Sequence, residues 1–257
     1  MLKFFSSLVP KPIRRAIRMQ LHKGNNYVCP LCQYASRDLS EQGSHFPILS
    51  TKKVIGGGFR LGGCFGCGAT DREKLVFSYL KNKTDLFASS PKMRVLHIAP
   101  EGRIAKELLA LQLQEYICGD LYVAEYNYPD YVQNMDVLDI PFPDNHFDII
   151  LCNHVLEHIP ADIDAMKSLC RVLKAGGKAI LQVPISSNSA ITDEDFTISD
   201  PKVLEQRFGQ FDHVRIYGQD YVTRLASAGF TVNRTNISAE FAKAGVNINE
   251  DLFICTK

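Results

Sequence analysis

From Met93 to Lys257 the chain alternates apolar runs of strand length with stretches of helical periodicity, and few folds accept that alternation. "MRVLHIA" is a continuous apolar run of strand length. In "RIAKELLALQL", which follows, Ile104, Leu108 and Leu111 fall at helical spacing. "EYICGDLY" gives a second strand ending at Gly119 and Asp120, a third ends at Asp136, and "HFDIILCN" is a fourth. "ADIDAMKSLCRVLK" puts Ile163, Met166, Leu169 and Leu173 on one helical face, and Gly176-Gly177 stop it before the fifth strand, "KAILQVP". "QDYVTRLASAGF" repeats the helix-then-glycine stop, and strands around Phe230–Thr235 and Leu252–Thr256 close the chain. Strands joined by helices predict an α/β fold with a doubly wound, Rossmann-like, mostly parallel sheet. The two late strands predict an antiparallel hairpin at one edge.

In an open α/β sheet, ligands sit at the carboxyl ends of strands. That rule selects the stretch Asp136–Pro160, "DVLDIPFPDNHFDIILCNHVLEHIP", in which the loop "CNHVLEH" would line a site. With "RVLKAGGKAILQVP" behind it, this passage resembles the class I S-adenosylmethionine-dependent methyltransferases, of the type 11 kind, and the resemblance extends over about residues 92–257. It implies a seven-stranded sheet with the antiparallel edge hairpin, S-adenosylmethionine as cofactor, and methyl transfer as the activity. Family members carry an acidic residue and a G-x-G-x-G turn after the first strand. Here the segment reads "LHIAPEGRIA": His97 stands in place of the acid, and Ala99, Glu101 and Arg103 replace the glycines. Ala99 is small enough for close approach, Glu101 is placed to pair with the cofactor's amino group, and Gly102 keeps one permissive position. Asp120 matches the acid that accepts from the ribose hydroxyls. Asp136, with Val137 after it, matches the position facing the adenine amino group, and Asn153 would face the methyl donor. Singly, an Asp after a strand is more often a turn or a cap; in this order the cofactor reading is favoured.

Methyl transfer is an in-line displacement, so the protein mainly positions two substrates and removes a proton. "CNHVLEH" offers His154, Glu157 and His158, and "FGQFDHVRIYGQDY" offers Asp212, His213, Arg215 and Tyr217. The polar stretch "ISSNSAITDEDFTISDP" before the latter has the length of a substrate-covering insertion. His154 and His213 are expected to face the acceptor and Arg215 to bind an anionic group on it. The competing reading for each is a structural hydrogen bond. The expected acceptor is a small polar or sugar-like molecule. Two other classes stand beside this one. The altered glycine turn suits a fold retained for noncatalytic binding or assembly. "HVLEH" also matches H-x-x-E-H, the inverted metallopeptidase motif, but Pro160 leaves little room for the helix that motif needs.

The chain before Met93 is different. Cys29–Cys32 ("CPLC") and Cys64–Cys67 ("CFGCG") form two C-x-x-C pairs, separated by a Gly-rich, strand-like linker. Each tight turn delivers two thiolates, and four suit a closed tetrahedral Zn2+ site that staples and does not catalyse. Two disulfides or a redox pair are the alternatives. The other cysteines, Cys118, Cys152, Cys170 and Cys255, sit in apolar segments as small hydrophobes, which favours a reducing, cytoplasmic setting. Residues 1–26 carry Lys3, Lys11, Arg14, Arg15, Arg18 and Lys23 and no acid. In "PIRRAIRMQLHK", Ile13, Ile17 and Leu21 make an amphipathic stripe, for the domain surface or, through residues 1–24, weak contact with an anionic membrane. The expected organisation is a basic arm (1–26), a zinc-knuckle module with its connecting helix (27–87) and an α/β domain (88–257). A length of 257 residues and 46% hydrophobic content allow a sizeable core. The net charge of +1 gives no nucleic-acid signal.

Overall fold

The computed structural model describes residues 10–124 and 126–257. Seven strands form the central sheet: β1 (Arg94–Ile98), β2 (Glu115–Asp120), β3 (Val132–Asn134), β4 (Phe147–Cys152), β5 (Leu173–Ile180), β6 (Thr231–Thr235) and β7 (Leu252–Thr256). Their order is β6-β7-β5-β4-β1-β2-β3. Strands β1 to β5 run parallel, and β7 runs antiparallel to both β5 and β6. This is the doubly wound sheet with an edge hairpin that the sequence predicts.

Side chains alternate across a strand, and here both faces are covered. Val95, Ile149, Leu151, Ile180, Leu252 and Ile254 form one apolar layer with Leu75, Leu80, Ile104 and Leu108. Leu96, Ile150, Cys152, Ala179, Phe253 and Cys255 form the other, with Met166, Leu169 and Leu225. Each buried Val, Leu, Ile, Phe or Met among them contributes roughly 1.5–3 kcal/mol of burial. The helices that supply these layers are α1 (Lys11–Leu21, the exception, which lies outside), α2 (Asp71–Lys83), α3 (Gly102–Leu109), α4 (Asp162–Val172) and α5 (Tyr221–Ser227). Helix α4 stops at Val172, before the two glycines: Leu173 turns extended and joins β5, and Gly176 takes φ +74°.

The cysteine-bearing segment does not stand apart from the α/β domain. Its connecting helix α2 opens with a capping box, in which Thr70 Oγ1 accepts from Glu73 N and Glu73 Oε2 accepts from Thr70 N. Leu75, Val76 and Leu80 then enter the core of the sheet. Val54–Ile55 pair antiparallel with Ile185–Ser186, and Leu49 packs with Leu204, Phe208 and Ile216. Helix α1 leans on the cysteine turns through its polar side. Arg15 Nε donates to Gly66 O over 2.6 Å, and Tyr34 donates to Met19 O. Ile13, Ile17 and Leu21 remain 51%, 51% and 60% exposed, so the stripe is not packed on the domain. The first nine residues of the expected arm lie outside the described residues. Among the described residues no helix is long and apolar enough to cross a membrane.

Candidate functional site

Strand order reverses between β1 and β4, and a cavity of about 460 Å³ opens at the carboxyl ends of the strands there. Ala99, Asp120 and Asp136, three of the residues expected to bind the cofactor, line it together with Leu121, Tyr126 and Tyr128. Ala99 adopts φ +46°, a left-handed conformation that the family's glycine would adopt at no cost. Its N–H donates to Gly119 O over 2.8 Å, which holds the turn against β2. Asp120 ends β2 on the cavity wall, and burial pushes its carboxyl up. Asp136 also caps the following turn, since Oδ1 accepts from Leu138 N over 2.9 Å. The predicted cofactor role and the competing capping role thus fall on one carboxylate.

His97 is fully buried in β1 and reaches Glu101 Oε2 through Nε2, 2.6 Å away. Tyr116 Oη lies 2.9 Å from Nδ1. A carboxylate only accepts, so Nε2 carries the proton and Tyr116 donates to Nδ1. Asn153 Nδ2 donates to Glu101 Oε1 over 3.0 Å, while Asn153 Oδ1 accepts from Gln182 N over 3.3 Å. Burial pushes the Glu101 carboxyl up, but His97 and Asn153 carry it below the ordinary range. Asn153, expected to face the methyl donor, has its amide engaged by Glu101 and by Gln182, two residues beyond β5. Gly102 opens α3 with free space where a Cβ would stand, so its backbone does not demand glycine.

A second cavity, about 280 Å³, adjoins the first, and His154 and His158 line both. Its walls include Gly56, Arg60, Arg72, Glu157 and His213. His154 follows β4 in a left-handed conformation, φ +58°, a strained geometry that clusters at functional sites. Arg72 Nη1 lies 2.9 Å from His154 Nδ1 and 2.7 Å from Gly56 O. A guanidinium only donates, so Nδ1 accepts and the proton sits on Nε2. His154 therefore lines the cavity as a donor through Nε2, so the proton removal that methyl transfer asks for does not fall to this imidazole. Burial and the Arg72 charge keep its pKa below that of an ordinary imidazole. Burial likewise pushes His213 down to about 4. Arg72 Nε, His154 Nε2, Glu157 Oε2 and Glu250 Oε2 are buried and find no hydrogen-bond partner among the described residues. Arg60, Arg72 and Glu250 were not singled out from the sequence. Arg72 lies in helix α2, Arg60 opens a short strand, and Glu250 precedes β7, and no motif in the sequence marks any of them.

Arg215 corrects a second expectation. It is fully buried, and its guanidinium donates to Leu156 O, Ile159 O and Pro160 O and to Glu194 Oε2 over 2.5–2.9 Å. Four of its five N–H donors are taken within the protein, and full burial keeps the group away from an anionic acceptor. Arg215 instead ties the polar insertion to the His154–Pro160 loop. Tyr217 does the same, donating to Asp162 Oδ2 over 2.7 Å. The "HVLEH" segment forms a single 3-10 turn, Leu156–His158, and lacks the helix that the peptidase motif requires.

The four predicted cysteines come together. Their sulfurs lie within 4.8 Å of one another, with Cys29–Cys67 at 3.7 Å and Cys32–Cys64 at 3.6 Å. A metal with sulfur bonds of about 2.3 Å in a tetrahedron sets sulfur–sulfur edges of about 3.8 Å. The two turns repeat one design: Gln33 N donates to Cys29 O and Gly68 N to Cys64 O, with Gln33 at φ +58° and Gly68 at φ +81°. The remaining cysteines are buried, as expected of small hydrophobes.

Residues 98–181 match the model of the family Methyltransf_11, described as a methyltransferase domain. An uncharacterized protein of Methanocaldococcus jannaschii is 41% identical over 61 residues, which are 24% of this chain and 26% of that protein. The ubiquinone/menaquinone biosynthesis C-methyltransferase UbiE of Azotobacter vinelandii is 44% identical over 46 residues, 18% of each chain. The matches thus span about a quarter or less of these relatives. An S-adenosylmethionine dependent methyltransferase structure from Mesorhizobium loti aligns with a TM-score of 0.49 at 12% identity, over 73% of this chain and 97% of that one.

Proposed function

We propose that the protein transfers a methyl group from S-adenosylmethionine to a small polar acceptor. One observation carries the reading: two cavities meet at His154 and His158, the first lined by the expected cofactor residues and the second by unpartnered buried polar groups. The first suits the cofactor chemically. Asp120 accepts from the ribose hydroxyls, Asp136 lies where the adenine is read, left-handed Ala99 allows close approach, and the ordered Glu101 carboxylate answers an ammonium group. Bound there, S-adenosylmethionine would supply an electrophilic methyl group. The second cavity mixes Leu49, Pro184 and Phe208 with Arg60, Arg72, His154, Glu157 and His213. Its orphaned atoms call for a ligand rich in hydrogen-bonding groups. His154 Nε2 donates to an acceptor oxygen, and His213 offers a lone pair across the cavity. The cysteine cluster, we infer, holds structural Zn2+ and so keeps Gly56–Gly58 over the acceptor.

The test is calorimetry with S-adenosylhomocysteine, followed by mass spectrometry of cell extract incubated with the protein and isotopically labelled methyl donor. Binding and a labelled small polar product are expected. Absence of binding at millimolar ligand would overturn the reading in favour of a noncatalytic protein.

A further inference from the structure

We propose that Glu157, His158 and His213 form a site for one divalent transition-metal cation in the second cavity, separate from the cysteine cluster. Each of the three offers a ligand atom, and these atoms lie within 4.8 Å of one another. Glu157 is 1% exposed, and its Oε2 finds no hydrogen-bond partner among the described residues. Its Oε1 stands 3.5 Å from His154 Nδ1 and 3.9 Å from His213 Nε2, too far to satisfy a buried carboxylate. The nearby guanidinium does not answer it either: Arg72 Nη1 is taken by His154 and Gly56 O, and Arg72 Nε is itself left without a partner among the described residues. A buried charged oxygen with no partner costs several kcal/mol. A cation between Glu157 and the two imidazoles removes that cost.

The surroundings fit. His158 and His213 pack edge to face, at 88° and 4.6 Å between ring centroids. Asp212 Oδ2 lies 3.2 Å from His158 Nδ1, the carboxylate companion that fixes the ring of a metal-bound imidazole. Bonds of about 2.1 Å to nitrogen and oxygen bring ligand atoms to about 3.4 Å apart, a contraction of at most about 1.4 Å from the 4.8 Å limit, which side-chain rotation supplies. Two imidazoles and one carboxylate select Zn2+, Mn2+, Fe2+ or Co2+ over the all-oxygen cations Ca2+ and Mg2+. Three protein ligands leave positions open on the cavity side. There a cation would hold an oxygen acceptor, a hydroxyl or a carboxylate, next to the first cavity, whose wall His158 shares. That role at the acceptor rests on the proposed methyl transfer; the binding of the cation does not.

The test uses the full chain with its cysteine cluster loaded with zinc, titrated with Co2+ alone and followed by calorimetry and visible absorption. One equivalent is expected, with nitrogen- and oxygen-type bands and no thiolate charge-transfer band. Glu157→Gln and His213→Gln should each weaken Co2+ binding by at least about tenfold. Asp212→Asn, a half-exposed position whose change spares the core, should weaken it by about tenfold. Its melting curve separates lost binding from lost folding. No uptake of Co2+ at millimolar concentration, or uptake unchanged in all three variants, overturns the site. Co2+ binding without any binding of S-adenosylhomocysteine keeps the site and sinks the methyl-transfer reading instead.

Discussion

His97 Nε2 and Glu101 Oε2 meet at 2.6 Å across the turn that joins β1 to α3. The carboxylate expected at His97 from the family resemblance is here supplied four residues later by Glu101 and held by that histidine. Glu101 is ionised and oriented from two sides, by His97 and by Asn153. Its expected role is to receive the ammonium group of the cofactor. A charge-assisted hydrogen bond contributes about 1.5–3 kcal/mol, so Glu101→Gln should bind S-adenosylhomocysteine roughly 10- to 100-fold more weakly in calorimetry. Unchanged affinity would show that Glu101 only braces the turn.

Ala99 adopts φ +46° at the position matched to a glycine of the methyltransferase family that the sequence resembles. A left-handed alanine costs about 1–2 kcal/mol, and glycine returns roughly 0.5–1 kcal/mol of that through the entropy of the unfolded chain. Ala99→Gly should therefore be neutral to about 1 kcal/mol stabilising in urea unfolding and keep ligand affinity. Ala99→Val should destabilise by about 2 kcal/mol or more, because a β-branched residue is worse at positive φ. If valine is tolerated in both stability and binding, the turn does not need a glycine-like backbone.

The sheet was legible because a strand covered on both faces must be apolar throughout. "MRVLHIA" and "FDIILC" could hardly be anything else. The cysteine cluster was legible because two C-x-x-C turns carry their own geometry. The site was only partly so. Asp120 and Asp136 follow from strand ends, and both reach the cavity. His213 and Arg215 lie two residues apart, and nothing in the sequence says that one faces the cavity while the other disappears into the insertion. Arg72 and Glu250 come to His154 from distant segments whose docking depends on tertiary packing. His97 looked like a lost acid because its partner stands one turn along.

Arg215 should behave as a positioning residue. Removing it strands the Ile159 and Pro160 carbonyls in the interior and leaves Glu194 to Arg224 alone, and breaking a buried pair costs about 3–5 kcal/mol. Arg215→Met should lower stability by about that much in denaturant titration. Arg215→Lys should recover little, since an ammonium cannot span four acceptors in the guanidinium's plane. A lysine variant with wild-type stability would contradict the assignment.

The cysteine cluster predicts about one zinc per chain in freshly purified, reduced protein. Chelation or Cys64→Ser should loosen more than the N-terminal segment, because α2 shares the core of the sheet. Hydrogen exchange should therefore rise both in residues 23–70 and in α2. Metal-free protein with full protection in both regions would argue against a structural metal.

Glu250 is 4% exposed and lies beside Gly56 and the arginines of the second cavity. Burial, then the charge of Asp71, raises its pKa from 4.5 to about 7, against the pull of Arg72 and Arg60. Between these two values the folded chain keeps a proton that the unfolded chain has released, so stability falls as pH rises. The contribution is fully present below about pH 4.5 and lost as pH passes about 7, a total of about 3 kcal/mol. Glu250→Gln cannot titrate, so its stability relative to wild type should improve by about that amount over the same window, measured by urea unfolding at stepped pH. Parallel pH profiles for the two proteins would mean that Glu250 is ionised in the folded state throughout, held by Arg60 or Arg72.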